Sequence, residues 1–134
     1  MAEFDIGQTF LDKRAVNFYR EKSKYFIALS SANYDDDPII CFSMNTEKRM
    51  DKYHYNCNKK HQRFIIKPNV FSFIKNNTSI MLDSPCQYFL KEMYLDQIKL
   101  LDKAEELLCR QIKNCIDWNY IESKFAKLIK ACFK

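Results

Sequence analysis

Up to about residue 83 the apolar residues come in short bursts, each closed by Asn, Asp or Pro. Residues 9–11, 24–31, 38–43, 63–67, 71–74 and 79–82 are rich in Phe, Ile and Tyr and have strand length. The breaks at Asn33 to Pro38, Lys67 to Asn69 and Asn76-Asn77 supply turn residues, and with a single glycine, Gly7, the left-handed backbone positions fall mostly to Asn and Asp. This pattern predicts a mostly antiparallel system of about five or six strands, compact as a barrel or a sandwich.

From Leu90 the spacing changes. Tyr94, Ile98, Leu101, Leu108, Ile112 and Cys115 fall at helical intervals behind Ser84-Pro85, a cap followed by a proline, and predict one long amphipathic helix. Its charges alternate in sign, as on a solvated face. After Asp117 as a cap, Trp118, Ile121, Phe125, Leu128 and Cys132 predict a second helix whose outer side carries Lys124, Lys127, Lys130 and Lys134. The fold class expected is α+β: a β-barrel over 1–83 and two C-terminal helices over 84–134, in one domain spanning 1–134.

Composition narrows the function classes. Hydrophobic residues make up 47% of the 134 and aromatics 15%, which excludes a disordered chain and leaves ample core. No apolar run has membrane-spanning length, and Met1-Ala-Glu-Phe-Asp-Ile lacks a signal-peptide pattern, so a cytoplasmic protein without a membrane partner is expected. Cys41, Cys57, Cys86, Cys109, Cys115 and Cys132 contain no C-x-x-C pair, and three occupy apolar helical positions; buried, reduced thiols are expected. His54, Cys57 and His61 lack a fourth partner at ligand spacing, so neither a metal nor a cofactor is expected.

Candidate chemistry collects at Ile39-Ile-Cys-Phe-Ser-Met-Asn-Thr-Glu-Lys-Arg-Met50. There an apolar strand gives way to Ser43, Asn45 and Thr46, which can donate hydrogen bonds to phosphate or base edges, and then to Lys48 and Arg49. Downstream, Lys48, Arg49, Lys52, Lys59, Lys60, Arg63 and Lys67 face only Glu47 and Asp51, interleaved with Tyr53, His54, Tyr55 and His61. Cations among stackable rings suit single-stranded RNA, with Ser43, Asn45, Lys48, Arg49, Lys59, Lys60 and Arg63 as the binding residues. A linker between two strands has the same composition.

The order of parts resembles the MazF/PemK-like toxin superfamily over roughly residues 6–112. The residues that carry the likeness are Gly7-Gln-Thr-Phe-Leu-Asp12, Arg20-Glu-Lys-Ser-Lys24, Tyr25-Phe-Ile-Ala-Leu-Ser30, Ile39 to Thr46, and Phe73-Ile-Lys-Asn-Asn-Thr-Ser-Ile-Met-Leu-Asp83. The resemblance implies an SH3-like barrel acting as a metal-independent endoribonuclease, in which the RNA's 2′-hydroxyl attacks the adjacent phosphate. It places Thr46 at the catalytic hydroxyl and Arg20 at the catalytic arginine, with Arg14 as the competing arginine. Its partners would be single-stranded RNA, a protein or RNA antitoxin, and a second copy in a homodimer. ToxN-like relatives share the barrel and bind a folded RNA antitoxin, whereas CcdB-like relatives share it without being nucleases. A non-catalytic RNA-binding or protein-interaction module of the same fold is therefore the alternative.

Overall fold

The computed structural model describes residues 4–14 and 24–133. Among these residues seven strands form one sheet: β1 (Gln8–Asp12), β2 (Lys24–Ala28), β3 (Pro38–Thr46), β4 (Asn56–Asn58), β5 (Arg63–Ile66), β6 (Thr78–Phe89) and β7 (Ile98–Lys103). Their order is β4-β5-β6-β3-β2-β1-β7, and every pairing is antiparallel. Two helices follow, α1 (Glu106–Cys115) and α2 (Ser123–Ala131). The α+β class is as expected.

Alternation along the strands sorts the core onto two faces. Ile27, Leu29, Ile40, Phe42, Met44, Phe64, Ile66, Ile80 and Leu82 pack against the helices, which contribute Cys109, Ile112 and Cys115 at three-residue spacing from α1 and Ala126 and Ile129 from α2. Phe10, Phe26, Ala28, Ile39, Cys41, Tyr88 and Ile98 line the opposite face and pack with Phe4, Leu90 and Met93. The longest strands, β3 and β6, belong to both halves of the sheet. Their register jumps between Phe42↔Pro85 and Met44↔Ile80, so residues 81–84 bulge out of the β3 ladder and β6 bends there.

The sheet is not a closed barrel. Its ends are β4 and β7, and they do not pair with each other. The free edge of β1 is taken by β7, through Phe10↔Leu100, Leu11↔Lys99 and Asp12↔Ile98, and not by a strand that would close the ring. Gly7 makes this corner: at φ 88° its N–H donates to Ala28 O and its carbonyl accepts from Ala104 N. A Cβ there would lie 2.8 Å from Cys109 Sγ. Any larger residue would be strained at this φ and would force the Cys109 side chain to shift.

The expected long helix from Leu90 is replaced by three elements. Leu90–Tyr94 is a 3-10 turn whose start is tied by Phe89 N donating to Glu92 Oε1 at 2.9 Å; Ile98–Lys103 is β7, and α1 begins only at Glu106. Unpaired backbone groups on β1 outweigh the weak helical preference of this stretch. The boundary expected at residues 83/84 accordingly falls inside β6. Residues 71–74 are a turn, with Ile74 N donating to Phe71 O, and both side chains are core. Asp117 caps the 3-10 turn Trp118–Tyr120 by accepting from Asn119 N, one turn before α2. Cys57 and Cys115 form a disulfide, so the expectation of six reduced thiols fails for this pair. The other cysteines are free thiols, with Cys41 and Cys109 buried. Among the described residues, no helix is long and apolar enough to cross a membrane.

Candidate nucleic-acid interface

Where the second apolar cluster ends, the same sheet face turns polar. Asp12 pairs with Lys24 across β1 and β2, and Asn45 pairs with Ser79 across β3 and β6. Lys24 Nζ donates to Asn45 Oδ1 at 2.5 Å and joins the two pairs into one row across four strands. Alternation puts these residues on the side of Phe10, Phe26 and Cys41, away from the helices. Ser43 lies beside the row and, with Lys24, Phe26, Ser84, Cys86, Gln87 and Tyr88, lines a cavity of about 300 Å³.

One end of the row is tightly wired. Asp12 accepts from Tyr88 Oη at 2.7 Å and from Arg14 N at 2.8 Å, and Arg14 also reaches Glu92 at 3.0 Å. Burial works against the Asp12 charge, but the bonds from Arg14 and Tyr88 together hold its carboxyl below the usual range. Arg14, the competing arginine, is thus a fixed structural fork over the Tyr88 ring. Burial lowers the Lys24 ammonium and pushes the Cys86 thiol up to about 12, so Cys86 is no thiolate near neutral pH.

The segment leaving β3 is organised by Glu47. Its carboxylate accepts from Ser79 Oγ at 2.6 Å, Arg63 Nη1 at 2.5 Å and Arg49 N at 3.2 Å. Burial opposes ionisation, and the bonds from Ser79, the Arg49 amide and Arg63 outweigh it, so the Glu47 carboxyl is held low. Arg63 also lies over the Tyr53 ring at 4.9 Å, and Lys67 lies over Tyr55 at 5.0 Å. These ring faces already carry cations. Arg49 pairs with Asp51 at 3.1 Å, and Lys59 Nζ donates to Asn114 O at 3.2 Å. Lys48, Lys52 and Lys60 are exposed and form no ion pair among the described residues. His61 stands edge-on to Tyr53, and His54 Nδ1 is 3.0 Å from Tyr55 O.

The sequence candidates therefore divide. Ser43 and Asn45 share the polar face with Lys24, whereas Thr46, exposed at the end of β3 and paired with Thr78, falls by alternation on the side of Met44 and Phe42. Arg20 lies outside the described residues. Lys48 and Lys60 are free for a ligand; Arg49, Lys59 and Arg63 are held by protein groups. Asp12, Lys24, Glu47, Ser79 and Tyr88 escaped sequence reasoning because their partners are distant in the chain. Only Glu47, an acid at the head of a cationic run, gave a local signal. No three His, Cys, Asp or Glu side chains converge among the described residues. No known family, curated protein or solved structure matches this chain.

Proposed function

We propose that this protein binds single-stranded RNA along the polar row and the segment that leaves β3, and cleaves it as the toxin of a toxin–antitoxin pair. One observation carries the binding: Lys48, Lys52 and Lys60 project unpaired from a segment whose remaining architecture is fixed by Glu47 and the disulfide. Free ammonium groups on a held backbone neutralise phosphates and release counterions without prior rearrangement. Ser43, Asn45 and Lys24 on the polar row supply further polar groups for the sugar–phosphate chain or an exposed base edge.

The MazF/PemK resemblance supports cleavage. In this chemistry the 2′-oxygen attacks the adjacent phosphorus, the bond to the 5′-oxygen breaks, and that oxygen takes up a proton. A 2′,3′-cyclic phosphate and a 5′-hydroxyl remain. Thr46 as a hydroxyl donor and Arg20 as a guanidinium fork stabilise the phosphorane oxygens in this reading. One observation favours the non-catalytic alternative: Thr46 is on the opposite strand face from Ser43 and Asn45. Incubation of a defined RNA in EDTA, with end-group analysis, decides between them. Cyclic-phosphate ends that vanish in Thr46→Ala, with a rate loss on the order of a hundredfold or more, are expected for the nuclease. Intact RNA would leave binding alone, 3′-hydroxyl ends would remove the 2′-hydroxyl mechanism, and full activity in Thr46→Ala would remove Thr46 from it.

A further inference from the structure

The segment 47–58 carries Lys48, Arg49 and Lys52 and ends in β4, the outermost strand of the sheet. β4 has three residues and pairs only with β5. Such a short ladder at a sheet end frays readily unless something else holds it. Tyr55 Oη donates to Asn77 Oδ1 at 3.1 Å and the Asn58 amide donates to His54 O at 2.8 Å, while the covalent tie is the disulfide from Cys57, the middle residue of β4, to Cys115, the last residue of α1, across a sequence separation of 58. The other ties near the helix end are an exposed Lys59 Nζ to Asn114 O bond, the Gln62 amide donating to Cys115 O at 2.9 Å and Asp117 N donating to Gln62 Oε1 at 2.8 Å. All three start from residues beyond β4 in the chain, not from segment 47–58.

The bond is also within reach. Cys57 is only half-buried, and a cavity of about 270 Å³ lined by Asn56, Cys57, Phe64, Gln111, Asn114 and Cys115 lies against it. We propose that Cys57–Cys115 is a redox modification site, a latch that pins the cationic segment in place when oxidised and releases it when reduced by a dithiol of the thioredoxin or dithiothreitol class. Attack by one dithiol sulfur breaks the S–S bond and gives a mixed disulfide. The second dithiol sulfur displaces it, the two electrons pass to Cys57 and Cys115, each takes a proton, and the dithiol becomes a cyclic disulfide. The effect on RNA rests on the reading above; the release of the segment does not.

Trypsin reads the latch directly, since Lys48, Arg49 and Lys52 mark the segment. On adding dithiothreitol, intact mass should rise by two hydrogens and cutting at residues 48–52 should speed up by about tenfold or more, with the rest of the chain still protected. Diamide should reverse both effects. The Cys57→Ser/Cys115→Ser variant should behave as the reduced form and ignore both reagents. Six free thiols without reductant, cutting unchanged by reduction, or cutting that spreads over the whole chain would each overturn the latch. The last outcome would make the bond a staple of the entire fold. For an oligouridine probe, reduction should weaken binding by about tenfold, because the lysines lose their fixed positions. Absence of binding in both redox states would retire the RNA reading and leave the trypsin pattern to judge the latch.

Discussion

Replacing Lys48, Lys52 and Lys60 together with Ala removes three exposed cations of the segment whose ammonium groups have no ion pair, hydrogen bond or ring contact among the described residues, unlike Lys59 and Lys67. Surface changes of this kind alter stability by roughly 0.5 kcal/mol or less each, so the fold should persist. Each lysine that neutralises a phosphate of a single strand contributes about 0.7 to the slope of log affinity against log salt, so the triple variant should lose about 2.1 from that slope. Over a fourfold rise in salt, from about 50 to about 200 mM, the native protein should therefore lose roughly 18-fold more affinity than the variant does. The assay is fluorescence anisotropy of a labelled oligouridine of about 20 nucleotides at several salt concentrations. Arg63→Ala is the control. Its guanidinium bonds Glu47 and covers Tyr53, so its loss should cost about 3 kcal/mol of stability and leave the slope nearly unchanged. An unaltered slope in the triple variant, or equal flattening in Arg63→Ala, would refute the division into ligand-facing and structural cations.

Glu47→Gln should lower stability by about 3 kcal/mol near neutral pH, measured by urea unfolding, because Arg63 loses its buried counter-charge. The Glu47 carboxyl is depressed in the fold, so its contribution is complete above the unfolded carboxylate range and disappears as pH falls through its folded value; the gap between native protein and variant should shrink in acid. Asp12→Asn should show the same narrowing, since its carboxyl is also held low, and a gap independent of pH would contradict both assignments. Ile112→Ala empties a fully buried site between α1 and the sheet and should cost about 2–5 kcal/mol by thermal or urea unfolding.

The apolar runs that became β2, β3 and β5 were legible because a strand with a buried face must alternate, and their lengths matched to within a few residues, whereas the run at 79–82 marked only the start of β6, which continues to Phe89. The last helix was legible for the same kind of reason: Phe125 and Leu128 repeat at helical spacing, and within it Ala126 and Ile129, each the next residue along, are the buried ones. The candidate site was legible only in part. Ser43, Asn45 and the cationic segment announce themselves by residue type, but the type of Lys48 and that of Arg63 are equivalent in sequence. Only the contacts of Arg63 with Glu47 and Tyr53 separate a structural cation from a free one.

Local pattern thus determined an α+β chain with a basic, aromatic segment, since periodicity and charge are properties of neighbours. Tertiary structure decided what depends on residues far apart: that Ile98–Lys103 pairs with β1 as a strand, that Asp12, Lys24, Asn45 and Ser79 align in one row, and that Cys57 bonds Cys115. In each case an unsatisfied backbone edge, a polar side chain or a thiol found its partner in an element distant in the chain, which local preference cannot specify.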